Sequence, residues 1–390
     1  MKIPKIQRRD IEVLNGKTPH HDPAKNGQAP PVLQRVLCIS AGGSGLRTNT
    51  HFKAIHTLEG SRAGHLHLDS DHGDRFLTRL PDGQDVELSP ETETHHFGVD
   101  DPRERLRNHP ELARIARLKL RGNPVSMTHR RGAAQCRAIG DLQYRFGVPA
   151  IRDAMNAKLD EFYPKAGGRK TSMQQILQDQ VAHEQGETPL LLVHVASAVG
   201  GQGSAIFVTL AYLTRWLLDQ RKAKNFIQIG ILLGPHAYRH RERQIDHNYV
   251  ATLRELDHTY RDGYEQRISN SEVLAYARPP FDMLFQMDLP EWPAGEDPND
   301  RLSDNAMDEW LRQVALGVHL FTKRAMHDRL QSLLLNVQAN HEDGSALDFG
   351  TLSAALVHGN LGAMDELIAI DKTMTALKAI QERCGESLGV

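Results

Sequence analysis

Apolar residues recur along this chain in short, nearly continuous runs. Each run ends at a glycine-rich or polar break, and most are followed by a stretch with helical spacing. The first run, residues 32–40, has strand length; Ala41-Gly42-Gly43-Ser44-Gly45 follows, then a helix-compatible segment over 46–58. Residues 65–68 predict a second strand ending on Asp69-Ser70-Asp71, residues 102–120 a polar helix, and residues 141–162 a helix or helix pair. Residues 189–196 are apolar at almost every position, which predicts a strand covered on both faces. The turn Val199-Gly200-Gly201-Gln202-Gly203-Ser204-Ala205 and an apolar helix over 206–218 come next. A strand over 226–233, a helix over 248–256, a short strand over 281–287 and a long helix over 306–337 complete the pattern. The last 45 residues are mostly helical in spacing, and residues 1–30 lack apolar periodicity and read as a flexible extension. Strands alternating with helices predict an α/β fold: three layers, Rossmann-like, with a mostly parallel sheet.

Composition narrows the class. The chain has 390 residues, enough for two domains or one large domain with insertions. It is 39% hydrophobic and 25% charged, ordinary for a globular protein. A formal net charge of -2 gives no overall field that would attract nucleic acid, and direct nucleic-acid binding is not expected. The three cysteines, Cys38, Cys136 and Cys384, form no CxxC pair, which points to a reducing compartment and a cytoplasmic location. Residues 1–20 carry no apolar run, so no secretory leader is expected. The best apolar stretch, 205–218, is too short to span a bilayer and contains Thr209, Thr214 and Arg215. Phe207, Leu210, Leu213 and Leu217, on one helix, are expected to be core.

The candidate chemistry sits in the two glycine turns. Both have the order strand, glycines, helix. Glycine lets the backbone approach a ligand closely, and the free N–H groups of a helix's first turn favour an anion. Phosphate is therefore the expected ligand, with packing of strand against helix as the alternative. Neither turn carries the lysine of a GxxxxGK[ST] loop, and neither has GxGxxG spacing.

Several short motifs, taken in order, resemble the tubulin/FtsZ superfamily, nearest to its divergent bacterial members. That family's phosphate signature reads GGGTGSG; here Gly200, Gly201, Gly203 and Ser204 match, with Val199, Gln202 and Ala205 as departures. Gly42, Gly43, Ser44 and Gly45 are similar to its first nucleotide loop, and Asp69 and Asp71 to its acidic residues near the metal. Gly132, Ala133 and Ala134 open a segment, 132–140, similar to a third loop over the γ-phosphate. Asn248 and Asn305 stand where the family reads guanine, and amides suit that base because they both donate and accept. The resemblance implies GTP or GDP with Mg²⁺ as ligands, and self-association or protein partners, including membrane-associated ones. It also implies a nucleotide-binding domain over 31–303, a central helix over 304–340 and a short helical segment over 341–390. At the family's NxDxxD loop the chain keeps Asp348 as candidate catalytic carboxylate, but has Ala346 and Thr351 for the other two positions. A threonine cannot act as a charged base. The family's C-terminal domain is expected to be reduced or absent. The expected function is a guanine-nucleotide-binding scaffold or assembly component with weak or absent GTPase activity.

Two other readings compete. His65, His67, Asp69 and Asp71 alternate along a strand and would face one side, which suggests a zinc-dependent hydrolase. A tubulin-like fold that has lost nucleotide would leave a structural or interaction protein. The basic run 238–243 is expected to be solvated surface, and Arg130 and Arg131 are candidates to reach a γ-phosphate.

Overall fold

A computed structural model describes residues 33–98, 106–108, 133, 135–163, 189–223, 225–238, 244–268, 272–289, 293, 295–297 and 302–322. The element order begins with β1 (Leu33–Ala41), α1 (Gly42–Glu59), β2 (Arg62–Asp69), β3 (Leu77–Arg79), β4 (Asp85–Glu87) and β5 (Thr94–His96). It continues with α2 (Arg137–Leu159), β6 (Leu190–Ser197), α3 (Gly201–Gln220), β7 (Phe226–Leu233) and α4 (Gln244–Asp262). The described part closes with β8 (Tyr264–Arg267), β9 (Val273–Tyr276), β10 (Met283–Met287) and α5 (Asp304–Phe321).

Six strands form one sheet in the order β10-β7-β6-β1-β2-β5. Every neighbouring pair in it is parallel. Side chains alternate cleanly between its faces. Leu37, Ile39 and Ala41 of β1 and Leu190 and Leu192 of β6 join one buried cluster, with Tyr144 of α2, Phe207 and Leu210 of α3 and Leu256 of α4. Val36 and Cys38 of β1 and Leu191, Val193 and Val195 of β6 join the other, with Phe52 of α1 and Trp310 and Leu311 of α5. The strands are therefore apolar on both faces because both faces are covered by helices. This is the three-layer α/β arrangement that the alternating pattern predicts.

The chain runs outward from β1 through β2 to β5, then returns to place β6 on the other side of β1. The helices that follow β1 and β6 consequently leave toward opposite faces, and a crevice opens between them at the carboxyl ends of these two strands. In open α/β sheets that switch point is where ligands bind.

The sequence pattern misses two small antiparallel hairpins, β3–β4 and β8–β9, and the edge strand β5. These strands are only three or four residues long, too short for periodicity to register. The long helix is described as Asp304–Phe321; its expected continuation to 337, the extension 1–30 and the segment 341–390 lie outside the described residues, as does nearly all of 102–120.

Candidate functional site

The crevice at the switch point holds a cavity of about 180 Å³ lined by Ala41, Gly42, Gly43, Ser44, Asp69, Asp71, Asp74, Ala133, Ser197, Gly200, Gly201, Gln202 and Gly203. Both glycine turns thus face one space. The turns are not loops: α1 begins at Gly42 and α3 at Gly201, so the glycines are themselves the first turns of the helices. Two helix N-termini, each with backbone N–H groups lacking intrahelical partners, converge on the cavity. Their dipoles add, and the site favours an anion on that side.

The glycines divide the work between packing and access. Gly42 has φ +73, and a Cβ there would lie 3.2 Å from the Gly203 backbone nitrogen. A Cβ on Gly203 would lie 3.0 Å from the Ala41 carbonyl oxygen. The two turns therefore touch backbone to backbone, which only glycine permits. Gly201 is just as confined: a Cβ on it would lie 2.7 Å from the Cys136 backbone nitrogen and 2.9 Å from Ala133 Cβ. Gly200 differs: a Cβ on it meets nothing within 4 Å, and its φ of -71 suits any residue.

Polar side chains hold the rest of the frame. Tyr238, in the 3₁₀ turn His236–Tyr238, donates its hydroxyl to Ser44 Oγ at 2.7 Å, which leaves the Ser44 proton to point elsewhere. Ser70 donates to Gln202 Oε1 at 2.8 Å, and Gln202 Nε2 donates to the Gly140 carbonyl at 3.4 Å. Gln202 thereby ties the end of β2, the first turn of α2 and the first turn of α3. Ser204 turns its hydroxyl back to the Gly200 carbonyl, a bond within its own helix, and it does not line the cavity. Asn248, buried on α4, donates from Nδ2 to the carbonyls of Gln135 at 2.7 Å and Val199 at 2.8 Å. Both of its N–H groups are spent on joining the two loops. Asn305 is exposed in the first turn of α5. Neither asparagine lines the cavity. Ala133 does; Gly132, Ala134, Arg130, Arg131 and Asp348 lie outside the described residues.

Beside the helix N-termini lies an acidic wall of Asp69, Asp71 and Asp74, and a Cβ on Gly43 in the first turn of α1 would lie 2.7 Å from Asp74 Oδ2. Asp69 is 3% exposed. Burial, with the nearby Asp74 and Asp71 carboxylates, pushes its carboxyl up to about 7, against the Asp71 and Ser70 backbone N–H groups that favour the charged form. Asp74 is also raised, by burial and then by Asp71. Sequence reasoning missed Asp74, which follows β2 in an irregular stretch where no motif marks it. The three carboxylate groups do not all gather within 4.8 Å of one another, and Mg²⁺, which keeps several waters and takes one or two carboxylates, needs no tighter cluster. The residues present therefore fit both halves of a metal-bound phosphate.

The zinc-hydrolase expectation at 65–71 fails on geometry. His65 and His67 are buried in the sheet under α1, where His65 Nδ1 pairs with Asn49 Oδ1 at 2.8 Å and His67 Nδ1 with Ser40 Oγ at 3.1 Å. Burial lowers both imidazoles to about 3, so they stay neutral. Among the described residues the group whose ligand atoms gather within 4.8 Å is a different one, His56, Glu59 and His319.

A family model described as "Tubulin like" matches residues 67–328. The chain belongs to the tubulin-like family. The matched span runs from β2 through α5 and includes the acidic wall and the α3 turn, so the resemblance read from the motifs holds at the level of the family. A search of curated proteins finds no match. Among solved structures, TubZ of Clostridium botulinum phage c-st is 12% identical, with 74% of this chain and 60% of that chain covered and a TM-score of 0.37. CetZ2 from Haloferax volcanii, a GTPγS-bound protofilament, is 14% identical, with 74% and 59% covered and a TM-score of 0.38. CetZ from Methanosaeta thermophila is 13% identical, with 74% and 54% covered and a TM-score of 0.37. This tubulin-like chain thus spans 60% or less of those proteins' length, and likeness at this level carries no argument about its activity. No helix among the described residues is long and apolar enough to cross a membrane.

Proposed function

We propose that this tubulin-like protein binds a guanine nucleotide, with the phosphates between the first turns of α1 and α3 and Mg²⁺ against Asp69, Asp71 and Asp74. The observation that carries the reading is the convergence of two glycine-led helix N-termini on one cavity that three carboxylates also line, at the switch point of a parallel sheet. Backbone N–H groups of residues 42–44 and 201–203 hold phosphate oxygens; the Ser44 hydroxyl, fixed by Tyr238, donates one more bond. A bound Mg²⁺ supplies positive charge that lets anionic phosphates and carboxylates share one cavity. Asp69 would hold it as the carboxylate, without the proton that burial favours. The cavity's volume is below the roughly 300–1,000 Å³ of whole-ligand pockets, so the base lies beyond its described lining.

The same reading makes the protein a binder more than a GTPase. Asp348 is the one carboxylate kept from the family's catalytic loop, and Ala346 and Thr351 supply no charge to orient water. The protein then acts as a nucleotide-dependent scaffold or assembly component, by self-association or with protein partners. Calorimetric titration with GTP, GDP and ATP, each with and without Mg²⁺, tests this. The expected result is guanine-selective binding that strengthens with Mg²⁺, with the Mg²⁺ dependence reduced in Asp69→Asn. Absence of binding by any of the three nucleotides removes the reading and leaves a structural member of the family.

A further inference from the structure

Far from the cavity, at the other end of α1, three metal-ligating side chains meet under cover. His56 and Glu59 lie one helical turn apart on α1, so they project on the same side. His319 comes from the last turn of α5. One ligand atom from each lies within 4.8 Å of the others. His56 is 1% and His319 0% exposed, and the Glu59 side chain is 3% exposed. His319 Nε2 and Glu59 Oε1 are 2.6 Å apart. We propose that His56, Glu59 and His319 form a binding site for a zinc-class divalent transition metal that clamps α1 to α5.

Two further observations support this. A hydrogen-bond relay through Ser61 permits the tautomer that a metal needs. Ser61 donates to Glu59 Oε2 at 3.2 Å, and its Oγ is 2.8 Å from His56 Nδ1. With its proton given to Glu59, the Ser61 oxygen accepts from His56 Nδ1–H, and His56 then presents Nε2 as a lone pair. Outer partners of this kind orient imidazole ligands in metal sites. The surroundings are also those of such a site. The Phe52 ring stands edge-on to His56 at 4.5 Å and to His319 at 6.2 Å. A nearby pair on the same two helices, His51 and Asp308 at 3.0 Å, ties them without a third ligand, so a simple tie does not need one. Two imidazoles and a carboxylate are a zinc donor set with one position left for water. A bound ion would take the place of the proton shared by His319 Nε2 and Glu59 Oε1, and that proton would leave to solvent.

Zinc titration of the purified full chain against a colorimetric chelator tests the proposal, with cobalt(II) as a spectroscopic substitute. The expected result is one tightly held equivalent and the visible absorption of four-coordinate cobalt. The double variant His56→Gln/His319→Gln should lose that equivalent, Ser61→Ala should weaken it about tenfold, and Asp69→Asn, in the acidic wall, should keep it. No tight equivalent in the wild type, an octahedral cobalt spectrum, or an equivalent retained by the double variant would overturn the proposal. The cobalt spectrum is read on the unaltered protein, so poor folding of a variant does not remove the test.

Discussion

The two glycine turns look alike in sequence and serve differently in the fold. In the α1 turn, glycine is needed for conformation and contact: Gly42 has a positive φ and abuts Gly203. A Cβ on Gly45 would come within 2.9 Å of the Val195 carbonyl. In the α3 turn, Gly201 and Gly203 are packed against neighbouring backbone, while Gly200 opens onto empty space at the cavity. Most glycines of the signature thus bring strands and helices close enough for their N–H groups to share one anion. Only Gly200 leaves room that a side chain could fill. A glycine motif therefore reports how tightly backbones approach, and ligand access has to be read glycine by glycine.

Substitutions should separate these roles. The largest effect is expected at Gly201→Val, where branched bulk meets Ala133, Gln135 and Cys136 and costs about 3 kcal/mol in a urea titration. Gly42→Ala comes next, at about 1–2 kcal/mol from the left-handed backbone, with the close Gly203 backbone adding to it. Gly200→Ala should change stability by no more than about 0.5 kcal/mol, because a weaker N-cap offsets a less flexible unfolded chain. If all three cost the same, the division of roles is wrong.

The acidic wall differs from the helix turns in its response to pH. Asp69 holds its proton more tightly folded, with a pKa of about 7 against 3.8 unfolded. As pH rises the unfolded chain ionises first, so this group subtracts stability progressively between those values. Buried His65, His67 and His194 act the other way. Each falls from 6.5 to about 3 on folding, so their contribution is complete above 6.5 and is lost as pH falls toward 3. Asp69→Asn should therefore gain stability more steeply with rising pH than the wild type. Identical pH profiles from denaturant titrations would mean that Asp69 is not held neutral.

Much of this was legible in the sequence where signals are long. The strand over 226–233 falls where the apolar run places it, and β1, β2 and β6 lie within a few residues of expectation. Both glycine turns do meet at one cavity, with Asp69 and Asp71 beside them. What escaped depends on tertiary contact. Asp74 reaches the wall from an irregular stretch, Tyr238 reaches Ser44 across 194 positions of sequence, and Asn248 spends its amide on two carbonyls instead of facing the cavity. The helices begin earlier than expected because a glycine turn reads as a loop when it is in fact a helix's first turn. The His65–Asp71 alternation misled because His65 and His67 lie inside the sheet, under α1, while Asp69 and Asp71 line the cavity.

The central claim is that phosphate sits between the two helix N-termini. Calorimetric titration of GTP with Mg²⁺ into the wild type, Gly200→Ala and Gly200→Asp tests it most directly, since position 200 tolerates a side chain without disturbing its neighbours. The account predicts that all three proteins fold, that Gly200→Ala binds within a few-fold of the wild type, and that Gly200→Asp loses at least about tenfold in affinity, the 1.4 kcal/mol that one misplaced negative charge readily exceeds. Equal GTP affinity for wild type and Gly200→Asp would contradict it.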